Sequence, residues 1–533
     1  MDETQNGEQT KKGLSKKLIA IIVVAVLLVG GGVAAYVTVT GSDKAQYFKA
    51  EKNTIDFMKD KITERYEPEL AWREQTEENP IETTFKLSGE YNDPYGGGYG
   101  MMDPQEIINN ATLTLTSQTD LKEKQLVTDI QANFGEMEMK DMKFYIDADK
   151  LLLGLPFLKE SLQIKDKDIG KLLHEADPSF PEGETIDFNT FFELVKGLPE
   201  EDLNYLKEEY ATKIFDEIPG DAFDSAKETI KVDNKNFDTE KITMHLSEQE
   251  TKDLFVSILE KMQDDKKLQK LFKEQMELRL FGISPEAMDL NFNEDIDKLF
   301  GEDLDKLIKD IKDSHIPNGL TSIIWVKNNL IVQRDFSIGA GGSKDEINTL
   351  TIKGTHLLND TTQKFDYEIT ADDSINKGTV TFTGDLSWKD NKANDSIKLA
   401  IEDVEYSYEG TETLKDDRRD YERVFSVSEP GGDISFNWSG KASYDKDKMN
   451  SENTFAIDAP ALNVTQDMAS LHVKKDAKTI KKVNTPDDSN VKDIGSMSVN
   501  EIMNYFETDV APQYQQWLMG ILGAGGGGDL NGL

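Results

Sequence analysis

The sequence predicts an α+β protein: a strongly curved antiparallel β-sheet wrapping helices, preceded by one N-terminal transmembrane helix. Three observations carry this. Residues 18–37 (LIAIIVVAVLLVGGGVAAYV) contain no charge. Two long stretches, 81–186 and 319–470, alternate apolar and polar residues, which leaves one strand face wet and marks an antiparallel sheet. The stretch between them, 187–318, has a helical period.

The uncharged run of about 20 residues rises about 30 Å as a helix, enough to cross a hydrocarbon core. Lys11, Lys12, Lys16 and Lys17 precede it. The positive-inside rule then makes 1–17 a cytoplasmic tail and 18–39 the membrane helix, with the C-terminal domain extracellular. Val33 and Ala35 would also suit a cleaved signal peptide. Against cleavage, the tail is long and carries Asp2, Glu3 and Glu8. The expected location is the cell membrane, single-pass.

The net charge of −40 repels nucleic acid and anionic lipid headgroups. It leaves solubility, or loose calcium or magnesium binding, as its meaning. The absence of cysteine removes disulfides, thiol catalysis and zinc–thiolate sites. In an exported domain of this size, it points to a bacterial cell surface, Gram-positive in particular.

Residues 40–80 read as a helical stalk with a patchy stripe of Phe48, Ile55, Phe57, Met58 and Ile62. In the first β-region, Phe85, Leu87, Gly89 and Tyr91 form one phase, and MKFYIDADKLLLGLPFL reads as two strands joined at Asp147–Lys150. In the helical region, Ser247 with Glu250 predicts a capping box ahead of Leu254, Phe255, Ile258, Leu259 and Met262. A later helix carries Ile296, Phe300, Leu304, Ile308 and Ile311, and HIPNG ends it.

The second β-region opens with a hairpin turning at Lys327–Asn329. It holds the rows Val380, Phe382, Gly384, Leu386, Trp388 and Ile434, Phe436, Trp438, Gly440, Ala442, Tyr444. The row Ile397, Leu399, Ile401 changes phase before Val404, which suggests a bulge. Residues 471–497 read as a polar linker, 498–523 as an amphipathic helix capped by Ser498 and Glu501, and 524–533 as a Gly-rich tail.

Gly89, Gly354, Gly384 and Gly440 fall in the buried phase. Such glycines coil a sheet sharply, or let a ligand approach the backbone.

No catalytic, cofactor-binding or metal site is assigned. His174, His245, His315, His356 and His472 show no paired metal spacing. There is no nucleophile elbow, phosphate-cradling loop or EF-hand. The loop at 92–104 has glycines without the strand-to-helix context that nucleotides need. DDRRD at 416–420 is the one compact charged knot: a solvated turn, or two arginines gripping a carboxylate or phosphate.

Strands, a helical middle and further strands behind a tethering N-terminus, with glycine-marked apolar rows, resemble the LolA/LppX/RseB-like half-barrel architecture. FYIDADKLLLGLPFL is similar to hairpins of surface-anchored Gram-positive proteins. The lipobox cysteine of many such lipoproteins is missing, so the helix would replace the lipid anchor. The resemblance implies a hollow that holds or senses an acyl chain. The expectation is a non-enzymatic, membrane-anchored extracellular protein binding an apolar ligand, lipid or partner protein in or on a curved sheet. Its alternative is a structural or regulatory surface adaptor or adhesin with a filled core. No cofactor is expected, and the partners are the membrane, through the N-terminal helix, and a possible lipid or protein.

Overall fold

The computed structural model describes residues 41–92, 104–135, 137–178, 180, 187–279, 296–344, 346–373, 377–487 and 489–525. Helices α1 (Asp43–Arg65) and α2 (Glu67–Glu78) come first. Strand β1 (Ile81–Tyr91) and the short helix α3 (Pro104–Asn109) follow. Next come β2 (Ala111–Asp120), β3 (Gln125–Phe134), β4 (Met137–Ile146), β5 (Lys150–Gly154) and β6 (Ser161–Lys165). Helices α4 (Asp166–Ala176), α5 (Asn189–Lys196) and α6 (Glu200–Glu217) lead to a hairpin of β7 (Phe223–Val232) and β8 (Lys235–Leu246). Then come α7 (Glu248–Asp264), α8 (Lys266–Arg279) and α9 (Leu304–Asp313).

The long hairpins that follow are β9 (Leu320–Lys327), β10 (Leu330–Ser343), β11 (Glu346–Asn359), β12 (Thr362–Asp372), β13 (Lys377–Lys389) and β14 (Lys392–Ile401). They continue through β15 (Val404–Lys415), β16 (Arg418–Glu429), β17 (Gly432–Asp445), β18 (Lys448–Asp458) and β19 (Ala469–Thr479). The described chain ends with β20 (Val491–Asp493), α10 (Val499–Tyr505) and α11 (Ala511–Gly525).

All 20 strands belong to one sheet. From β7 to β19 each strand pairs antiparallel with the next. β19 then pairs with β1, and the order continues from β1 to β6. β20 closes the series, parallel to β6. Among the described residues, β7 and β20 have no strand on their outer sides, so the sheet is open. This corrects the predicted half-barrel. The two β-regions form one 20-stranded sheet because β1 and β19 meet, a long-range pairing that strand periodicity does not reveal.

Local chemistry explains the hairpins. Asp233 and Asn234, Asn328 and Asn329, Asp390 and Asn391, and Asp416 and Asp417 all have positive φ. Two-residue turns that match strand twist need that conformation, and Asn and Asp tolerate it best. Glu402, also at positive φ, turns β14 into β15, so the phase change before Val404 is a turn rather than a bulge. Both capping boxes form, at Ser247 with Glu250 and at Ser498 with Glu501.

The largest core lies where α1, α6, α7 and α9 pack on β8–β11, around Phe48, Phe255, Ile258, Ile324 and Phe336. Residues 40–80 were expected to be a stalk, yet α1 and α2 lie on the sheet. Tyr47 meets Ser322 of β9 through a 2.7 Å hydrogen bond. Trp72 packs with Met449 of β18 and Ala477 of β19. About 38 Å of helix separates Tyr47 from Trp72, close to the roughly 43 Å of summed spacing from β9 to β18. The helix pair is therefore a strut laid across the strands. The run at 471–497 is also held: Val483 is buried with Val127, Tyr145 and Leu152 as the chain crosses to β20.

The predicted transmembrane segment, 18–39, lies outside the described residues. Among the described helices, none is long and apolar enough to cross a membrane.

Candidate functional site

The helix-bearing face of β13–β18 divides into two halves. Near the hairpin turns the strut covers it; towards the other strand ends nothing described does. Cross-strand register builds straight rows on the uncovered half. One row is Phe382, Leu399, Tyr406, Val427 and Ile434. The next is Gly384, Ile397, Tyr408, Phe425, Phe436 and Ile457. Ring centroids of Tyr408 and Phe425 lie 5.1 Å apart, and Phe436 stacks on Phe455 at 5.7 Å. Phe382, Ile401, Tyr406, Phe425, Ile434, Phe436, Ile457 and Leu471 are each 38–52% exposed. These rows carry no ionisable group other than tyrosine.

The recurring glycines explain how the rows fit. A Cβ at Gly384 would lie 2.2 Å from the Phe365 ring, and one at Gly354 would lie 2.4 Å from Tyr367. Gly410 gives the same room to Tyr408, and Gly440 lies beside Tyr421. The space a ligand was expected to use, where the sheet was expected to coil, is filled by aromatic rings of neighbouring residues.

Where the strut meets the rows, a buried charge knot forms. Arg65, at the end of α1, reaches Asp395 of β14 at 2.5 Å and Glu412 of β15 at 3.1 Å. Arg419 of β16 contacts Glu412 at 2.9 Å and Glu69 of α2 at 2.6 Å, and donates to the Arg65 carbonyl at 2.6 Å. Arg423 adds a 2.6 Å contact to Glu412. Arg419 is 1% exposed. Burial pushes the Glu412 carboxyl up, but Arg65, Arg423 and Arg419 outweigh it and hold the group below the usual range. The guanidiniums lie over rings, Arg419 on Tyr66 at 4.7 Å and Arg423 on Trp438 at 4.6 Å.

A second clamp lies under α1. Glu51 pairs with Arg334 of β10 at 2.6 Å, both buried. Burial pushes the Glu51 carboxyl up despite Arg334. Beside it, His356 accepts from or donates to Tyr367 at 2.6 Å, and burial with the Arg334 charge lowers its pKa to about 4.

DDRRD thus splits in two. Arg418 pairs with Asp420 on the exposed face, while Arg419 turns inward and grips carboxylates. The other knot residues, Arg65, Glu69, Asp395, Glu412 and Arg423, were missed. Their signal was present: Asp395, Glu412 and Arg423 sit in the apolar phase of alternating strands. The histidines stand apart. His174 bonds the Phe180 carbonyl, His245 Thr321, and His472 Thr454, while the His315 backbone bridges Gly341. Most of the loop at 92–104 lies outside the described residues.

The opposite face carries charged cross-strand pairs, including Lys364–Asp385, Lys398–Glu405 at 3.1 Å and Lys441–Glu452 at 2.6 Å. A membrane barrel would present an apolar band outward. Here the apolar rows share the face that bears the helices.

No protein family and no curated protein matches the chain. The solved structures that match include outer-membrane β-barrels. OprB of Pseudomonas putida, in its low-pH structure, is 5% identical, with 76% of this chain and 95% of that one covered, at a TM-score of 0.21. The translocation pore of the P pilus usher PapC is 6% identical over 70% and 61%, at 0.19. Salmonella typhi OmpF, in complex with daunomycin, is 8% identical over 75% and 97%, at 0.19.

At such TM-scores the likeness transfers neither a fold nor a role. These matches are many-stranded barrels rather than LolA-like half-barrels, and the sheet here has 20 strands, so the predicted LolA/LppX/RseB-like resemblance is corrected. The expectations built on it are corrected too: the single-pass cell-membrane location, the apolar-ligand or lipid-binding role, and the surface adaptor or adhesin.

Proposed function

We propose that the chain is a non-catalytic assembly protein whose copies pack on one another through the uncovered aromatic rows. The observation that carries this is the size and neutrality of those rows in a chain of net charge −40. Eight large apolar side chains at 38–52% exposure leave about 80 Å² each, or about 650 Å² together. A stable interface buries about 800 Å² per partner, so these rows and their half-buried neighbours suffice for one. A patch of this size is rare on a monomer. Being one patch, it pairs with its own copy about a two-fold axis, and two sheets pack face to face about 10 Å apart. The non-catalytic part of the reading rests on the charge knot, where acids and bases engage one another rather than a cleft.

Sedimentation equilibrium of the full-length chain tests this. The parent chain is expected to dimerise at micromolar concentration, and Phe425→Asp with Phe436→Asp to shift it to monomer. A monomeric parent, or a dimer indifferent to the double substitution, overturns the proposal.

A further inference from the structure

On the face opposite the strut, cross-strand charges alternate in sign along one row: Asp420, Lys441, Glu452, Lys474. The next step breaks the alternation. Lys474 of β19 stands directly opposite Lys86 of β1. Like charges in that position destabilise a sheet. The nearby carboxylate does not resolve the conflict, because Glu452 lies 2.6 Å from Lys441 and only 3.7 Å from Lys474. Lys86 has no ion pair among the described residues, and its other cross-strand neighbour is Thr114.

Hydroxyl and imidazole groups adjoin the two ammonium groups. Ser88 is opposite His472, and Thr454 bonds the His472 ring at 3.0 Å. Glu90 faces the far side of that ring at 3.5 Å. Lys86, Ser88, Thr454, His472 and Lys474 line a shallow depression of about 490 Å³.

We propose that this depression is a binding site for a small, multiply charged oxyanion of the phosphate or sulfate type. Two ammonium groups held side by side supply the charge, and Ser88 and Thr114 supply neutral hydroxyl donors next to them. Bound between the lysines, the anion converts the one repulsive step of the row into an attractive one. The ligand is small because the surrounding field of a −40 chain repels a long polyanion.

Titration calorimetry of the full-length chain with inorganic phosphate and with sulfate, at ionic strength fixed with chloride, tests the site. Saturable binding is expected for one or both anions. Lys86→Gln and Lys474→Gln should each weaken it about tenfold, the loss of one charge-assisted bond. Lys389→Gln, at the far end of β13, should leave it unchanged. Absence of saturable heat, equal heat from chloride, or equal affinity in the Lys86 and Lys474 variants overturns the proposal. Circular dichroism confirms that each variant is folded, so lost binding is not lost structure.

Discussion

Replacing Arg419 with alanine removes the centre of the charge knot, and its cost can be worked from the geometry. The side chain donates to Glu69, Glu412 and the Arg65 carbonyl, at 2.6, 2.9 and 2.6 Å. Removing one partner of a buried ion pair costs about 3–5 kcal/mol. Glu412 keeps Arg65 at 3.1 Å and Arg423 at 2.6 Å, and Glu69 is a quarter exposed and regains water. Those retained contacts place the loss near the low end, about 3 kcal/mol. Loss of the guanidinium over Tyr66 adds about 0.5–1 kcal/mol. The neighbouring Arg418→Ala loses only a half-exposed pair with Asp420 and should change stability by less than about 0.5 kcal/mol. A chain of this length need not unfold in one step, so local opening is the quantity to read. Native-state hydrogen exchange over residues 60–78 and 384–425 should speed up about 150-fold in Arg419→Ala at 3 kcal/mol, and hardly at all in Arg418→Ala. Equal protection in the two variants would refute the reasoning.

Two further outcomes follow from the same packing. His356 titrates at about 4 in the fold against 6.5 in the open chain. Between those values the unfolded chain binds the extra proton, so stability is fully present above pH 6.5 and falls as pH drops to 4. The loss is about 3 kcal/mol, and His356→Gln should flatten that part of a denaturation-against-pH curve. Gly384→Val places a side chain in the Phe365 ring and should cost about 1–3 kcal/mol, partly recovered by Phe365→Ala, whereas Gly378→Val, with open space around it, should be near neutral in the same chemical denaturation.

How much of this was legible in the sequence depends on distance along the chain. Features fixed within a few residues could be read directly: both capping boxes, the turn at Asn328 and Asn329, and the apolar phase of β13 and β17. Pairings between distant segments could not. Nothing in Phe85 or Val473 announces that β1 will pair with β19, because either strand would satisfy its alternation beside many partners. The stripe of α1 was visible as Phe48 and Ile55, but its role was not. A patchy stripe on a charged helix fits a solvated stalk as well as a strut. The knot was half legible. DDRRD drew attention through its density, although its exposed and buried arginines differ only in strand phase. Asp395, Glu412 and Arg423 could have been found by asking which charges fall in the apolar phase.

The position of the knot bears on why a buried charge cluster exists here. β11, β13, β15 and β17 carry Gly354, Gly384, Gly410 and Gly440 at matching places before their turns, so successive hairpins offer the strut similar surfaces. One inward position beyond each glycine stand His356, Leu386, Glu412 and Ala442. Apolar contact alone would hold a helix on such a surface without fixing which hairpin each turn of it meets. Buried ion pairs discriminate strongly, because a mismatched arginine or carboxylate is left unpaired in a dry site. Glu412 occurs at one hairpin only, and Arg65 and Arg419 converge on it from helix and strand. Glu51 with Arg334 fixes the other end of α1. Two charge clamps therefore set the strut's register, and with it the boundary between the covered and uncovered halves of the sheet. Loosening the Arg419 clamp should accordingly disturb protection in α2 more than in the first turns of α1, which Glu51 still holds.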